Sequence, residues 1–115
     1  MATQELSDRT VLITLPAEPQ LSNDLDLATR AAEAGADLDV LLDFSLVEIM
    51  PSATICSLII LKRLLDATDH HLILHSVPSN IMDMLQRLGL WSLFQFAEDR
   101  STAVRMVASL ESRRT

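Results

Sequence analysis

The stretch that most constrains this chain is Leu38-Asp-Val-Leu-Leu-Asp-Phe44. Its apolar character is nearly continuous, where a half-exposed strand would alternate. A run this short and this dense reads as a central parallel strand, covered on both faces. Such a strand needs helices above or below it and crossover connections on either side.

The punctuation around that run supplies them. Thr10-Val-Leu-Ile-Thr-Leu15 reads as a strand stopped by Pro16 and Pro19. Ser22 or Asn23 is placed to cap a helix with Asp24 and Asp26 in its first turn, which Gly35 ends. After Leu38–Phe44 comes a loop from Ser45 to Pro51, then a helix from about Ala53 to Ala67. Asp69-His70 turns into a strand at His71–His75, and Pro78 stops it. Ser79 is placed to cap a helix with Ile81, Met84, Leu85 and Leu88 on one face. Gly89 then sits where a left-handed C′ residue belongs, with Leu90 set to touch Leu85. Ser92–Phe96 reads as a short edge strand, and Asp99 as the cap of a last helix carrying Ala103, Val107 and Leu110. The expectation is one α/β domain over residues 1–115, its core at about 10–110. It has a mostly parallel sheet of four to five strands with about four helices, in the order βαβαβαβα.

With 115 residues and 49 % apolar side chains, one continuous core is affordable and disorder is excluded. Nine Lys and Arg against 16 Asp and Glu leave a net charge of −7, which repels nucleic-acid phosphates and anionic membrane surfaces. Cations are scattered apart from Arg113 and Arg114. Cys56 is the only cysteine, the opening residues lack a secretory signal, and no apolar run is long enough to span a bilayer. A cytoplasmic location is expected.

Catalytic chemistry finds no foothold. Two glycines, both ending helices, leave no phosphate loop, so no nucleotide or other cofactor is expected. Cys56 on a helix reads as a packing residue. His71 and His75 share a strand face while His70 points elsewhere, which reads as a solvated turn with strand-end histidines and not as a metal site.

The segment Val40–Leu65 resembles the STAS domain, shared by bacterial anti-sigma factor antagonists and sulfate-transporter tails. Leu41-Leu42-Asp43-Phe44-Ser45 matches that family's strand end, and Val47-Glu48-Ile49-Met50 the approach to its loop. The Leu85-to-Phe94 segment, through Gly89-Leu90, is similar to the family's helix ending. The family loop, Asp-Ser-Ser/Thr-Gly-Leu-Gly, is altered here. Pro51 replaces the Asp, Ser52 keeps the first hydroxyl, Ala53 replaces the second, and Thr54 and Cys56 stand for the glycines.

The resemblance implies a non-enzymatic partner-switching protein that binds an anti-sigma factor with serine-kinase character. Ser52, and more weakly Thr54, would be the phosphorylation candidate. Asp43, Met50, Pro51, Ser52, Ala53, Thr54, Ile55 and Ile59 would form the contact surface. A helical wheel with Thr54, Ser57, Leu58, Leu61 and Leu65 toward the sheet leaves Ile55 and Ile59 outward, beside Ser52. Ser52 has a plainer alternative as an N-cap, and the isoleucines as flank packing. Two other functions stay open: a STAS subunit bound to the ATPase of a membrane-lipid ABC transporter, and a small enzyme or ligand-binding domain. A homodimer stays open too.

Overall fold

The computed structural model describes residues 2–112, so Arg113 and Arg114 lie outside the described residues. The dense apolar run becomes the middle strand of five. The strands are β1 (Ala2–Ser7), β2 (Thr10–Thr14), β3 (Asp39–Asp43), β4 (Leu72–His75) and β5 (Gln95–Ala97). They lie in sequence order across one sheet. The helices are α1 (Gln20–Glu33), α2 (Ser52–Ala67), α3 (Ser79–Arg87) and α4 (Arg100–Ser112).

Strand pairs β2–β3, β3–β4 and β4–β5 are parallel, in the register Thr14–Asp43–His75–Ala97 along one row. Because the order advances one strand at a time, right-handed crossovers put α1, α2 and α3 on the same face. Their layer is packed by Val40 and Leu42 from β3 and Phe44 just beyond it, with Leu21, Leu25, Leu58, Leu61, Ile81 and Leu85 from the helices. Among the described residues no strand follows α4, which covers the opposite face, where Leu12, Leu41 and Ile73 meet Ala103 and Val107. Both faces of β3 are thus buried, which is why its sequence does not alternate.

The unread element is β1. Thr3, Gln4 and Glu5 carry no apolar signal and are exposed. An antiparallel pairing with β2, irregular between Glu5 and Ser7, makes them a strand. The sheet is therefore mixed, and β1 occupies one edge while β5 occupies the other.

The helix ends follow two rules. Gly35 (φ 87°) and Gly89 (φ 70°) take the left-handed C′ position as expected. Ala36 N–H reaches Ala31 O and Leu90 N–H reaches Leu85 O, closing both ends. The starts differ from expectation. Pro19, Pro51 and Pro78 hold the N-cap positions of α1, α2 and α3, and no side chain caps those helices from that position. Ser22, Ser52 and Ser79 lie inside the helices, not at their caps. A proline supplies a preset φ and lacks the N–H that the first turn cannot satisfy. Only α4 starts as read, with Thr102 N–H donating to Asp99 Oδ1 at 2.8 Å. Among the described residues no helix is long and apolar enough to cross a membrane.

Candidate functional site

The site is built outward from the carboxyl end of β3. Asp43 closes that strand half-buried, and its Oδ1 accepts the Ser45 N–H at 2.9 Å. Asp43 thus braces the start of the loop at that contact.

The loop that follows is anchored at every third residue. Phe44, Val47 and Met50 are buried at 0 %, 1 % and 4 % exposure, while Leu46 and Ile49 stand out at 58 % and 74 %. Ser45 and Glu48 are also exposed. Val47 N–H donates to Phe44 O at 3.0 Å, and Asn80 Nδ2 of α3 donates to Glu48 O at 2.8 Å. Large apolar side chains on a pinned loop stay in water although the fold could have used them. A groove of about 250 Å³ opens beside them, lined by Ala17, Glu18, Glu48, Ile49 and Pro51.

Pro51 (φ −63°, ψ 158°) turns the chain into α2. Its carbonyl accepts both Thr54 N–H at 3.0 Å and Ile55 N–H at 3.1 Å. Ser52 is the first helical residue, exposed, and no side chain caps this end. The hydroxyl is thus free of the capping duty considered for it. It stands at the positive end of a helix of 16 residues.

Thr54, two residues on, is different. It is 1 % exposed and its Oγ1 lies 3.0 Å from Ser22 Oγ, which in turn donates to Glu18. That hydroxyl is engaged in joining α1 to α2. The outward position expected for Ile55 and the contact role expected for Met50 are corrected by burial at 6 % and 4 %. Ile59 is half-buried against the same core. The reason is position: α2 packs against α1 and shares one core layer with Ile81 and Leu85 of α3, which draws Ile55 in. Its open side carries Cys56 and Ile60 instead.

The structure therefore groups Asp43, Pro51, Ser52 and Ala53 at one surface and withdraws Met50, Thr54 and Ile55 from it. It adds Leu46, Glu48 and Ile49, which the sequence reading passed over, and Glu18 from the neighbouring loop. The three-residue spacing of Phe44, Val47 and Met50 was the signal for them.

Behind the loop, on the α4 face, His75 is 1 % exposed, not solvated as the strand-end reading expected. Its Nδ1 lies 2.8 Å from Ser76 Oγ, and its Nε2 has no hydrogen-bond partner among the described residues. Burial pushes the imidazole below its ordinary pKa, with Arg100 adding to the shift and Asp43 and Asp99 opposing it.

No protein-family model and no curated sequence matches the chain. Solved structures do. An anti-sigma-factor antagonist (STAS) domain protein from Planctomyces limnophilus superposes with a TM-score of 0.75 at 18 % identity, covering 93 % of this chain and 97 % of that one. The chain has the STAS fold. An RsbS variant from Moorella thermoacetica gives 0.78 at 14 % identity over 96 % and 97 % of the two chains. The Bacillus cell fate determinant SpoIIAA in its phosphorylated form gives 0.70 at 18 % identity over 91 % and 97 %. STAS architecture thus holds here at low identity and with an altered loop.

Proposed function

We propose that this STAS domain is a cytoplasmic, non-enzymatic regulator that acts as an anti-sigma factor antagonist. It docks on an anti-sigma factor with serine-kinase character and is released when Ser52 is phosphorylated. The carrying observation is Ser52 itself: an exposed hydroxyl on the first residue of α2, without a capping bond, beside Leu46 and Ile49 on a pinned loop. The structural neighbours include an anti-sigma factor antagonist in a phosphorylated form, which supports the reading.

The chemistry is transfer of the ATP γ-phosphoryl group to Ser52 Oγ, with ADP leaving and the hydroxyl proton passing to a base of the kinase. The product carries about two negative charges at a helix N-terminus, where the dipole and the first-turn amides favour them. Thr54 is the lesser acceptor, because its hydroxyl is buried and bonded to Ser22.

The test is incubation with the kinase-type anti-sigma factor of the same cell and ATP, followed by intact mass and partner affinity. Expected are one phosphoryl group on Ser52 and a large loss of affinity. Ser52→Ala should take up none and keep its affinity. Phosphate at another residue, or modification without loss of binding, would overturn the reading.

A further inference from the structure

Charge is distributed unevenly along the strand axis. Glu18, Glu48 and Glu98 lie in the loops leaving β2, β3 and β5, all exposed, and none has an ion-pair partner among the described residues. Arg100 is the basic residue that starts α4 at this end, and it is turned to Gln4 Oε1 at 2.5 Å. Arg30 and Arg87 lie in the last turns of α1 and α3, at the other end. Three ion pairs lie there too: Arg9–Asp37, His70–Asp37 and Lys62–Asp66. So the groove between Ala17, Ile49 and Pro51 has an apolar floor and two unneutralised carboxylates on its rim, Glu18 and Glu48.

We infer that the segment seated in this groove is basic and amphipathic: an apolar side chain packs against Ile49 and Pro51, and flanking Lys or Arg residues meet Glu18 and Glu48. The inference rests on the docking surface of the proposed function and adds the chemistry of the partner. Charge complementarity singles out a cationic protein segment, because anionic surfaces are repelled and a neutral apolar one leaves two carboxylates desolvated. The loop is ready to receive it, since its buried anchors and the Asn80 bond to Glu48 O fix Ile49 before any partner arrives. A phosphate on Ser52 enters the same negative field. Partner loss on modification then comes from the volume and hydration of the phosphate, not from repulsion of like charges.

The probes are three synthetic peptides with one leucine core, flanked by lysines, glutamines or glutamates, titrated into isotope-labelled protein and followed by amide shifts. The lysine peptide should bind most tightly, weaken as salt rises, and move the amides of residues 17–18 and 46–53. Glu48→Lys should weaken it severalfold, and together with Glu18→Lys about tenfold, as expected for rim charges. Ile49→Ala should weaken all three peptides. Equal affinity for the three, or shifts centred on Leu88, Trp91 and Leu93, would overturn the inference. Adding the kinase separates the two ideas. Phosphorylation of Ser52 with release, alongside indifference to peptide charge, sinks only the basic partner. Lysine-peptide preference mapped to the groove, without phosphate on Ser52, supports the basic partner and sinks only the switch.

Discussion

The two ends of β3 carry the same residue, and their surroundings could hardly differ more. At the amino end Asp39 is fully buried and takes the His71 N–H at 2.7 Å. Around it Thr10 Oγ1 donates to Glu111 at 2.8 Å, and His70 is held between Thr68 and Asp37 at 2.7 and 2.6 Å. The bond from His70, then that from Arg9, draws the Asp37 carboxyl below the usual range. At the carboxyl end Asp43 is half in water, the glutamates are unneutralised, and Ile49 is 74 % exposed. One end closes the fold and the other presents it. Polar residues serve stability where each finds a partner inside the chain, and stay in water where they do not.

The comparison breaks first on stability. Phe44→Ala should cost about 3–5 kcal/mol in urea unfolding, since it empties a fully buried site under the loop. Ile49→Ala, five residues away, should stay within about 0.5 kcal/mol. A comparable loss at Ile49 would mean that the exposed loop is structural after all.

The paired aspartates come next. Asp39→Ala should cost about 1–3 kcal/mol, because it strands the His71 N–H beside buried strands. Asp43→Ala should cost less than about 1 kcal/mol, with the Ser45 N–H free to turn to water. Equal losses would erase the distinction between the ends.

Acid should act on the open end before the closed one. The folded state lowers the His75 pKa, so it favours neutral imidazole. The unfolded chain binds the proton more readily. The associated stability is therefore fully present above the ordinary value of about 6.5 and declines as pH falls below it. His75→Gln should flatten the slope of stability between neutrality and about pH 5. An unchanged slope would show that His75 does not carry it. The Asp37 contribution has the usual carboxylate sense and is lost only at lower pH, below the ordinary 3.8.

The smallest effect is expected at Ser52. Without a capping bond, Ser52→Ala should shift stability by less than about 0.5 kcal/mol. Asp99→Ala, which removes the true cap of α4, should cost about 1 kcal/mol. Parallel melts of the two variants decide the matter.

What was legible in the sequence follows from which forces are local. The β3 run declared its double burial, and Gly35 and Gly89 declared their turns, because each depends on the residue alone. Thr3-Gln4-Glu5 became a strand only because β2 offered an open edge, and nothing in those side chains says so. The starts of α1, α2 and α3 were misplaced by one to four residues, since hydroxyls were read as caps where the preceding prolines do that work. A helical wheel knows one neighbour, whereas α2 meets the sheet, α1 and the core layer it shares with α3. That is why Ile55 and Ile59 were placed outside. Ser52 was visible as a surviving hydroxyl, but its surroundings were not, because Leu46 and Ile49 look like core residues until Phe44, Val47 and Met50 are seen to fill the core.

The rhythm of that loop has a consequence for how such a protein diversifies. Positions 44, 47 and 50 are bound by packing, and any change there is tested at once by whether the chain folds. Positions 46, 48 and 49 escape that test almost entirely. Under the proposed function, duplicated copies would be free to change partner at these three side chains while inheriting an untouched scaffold.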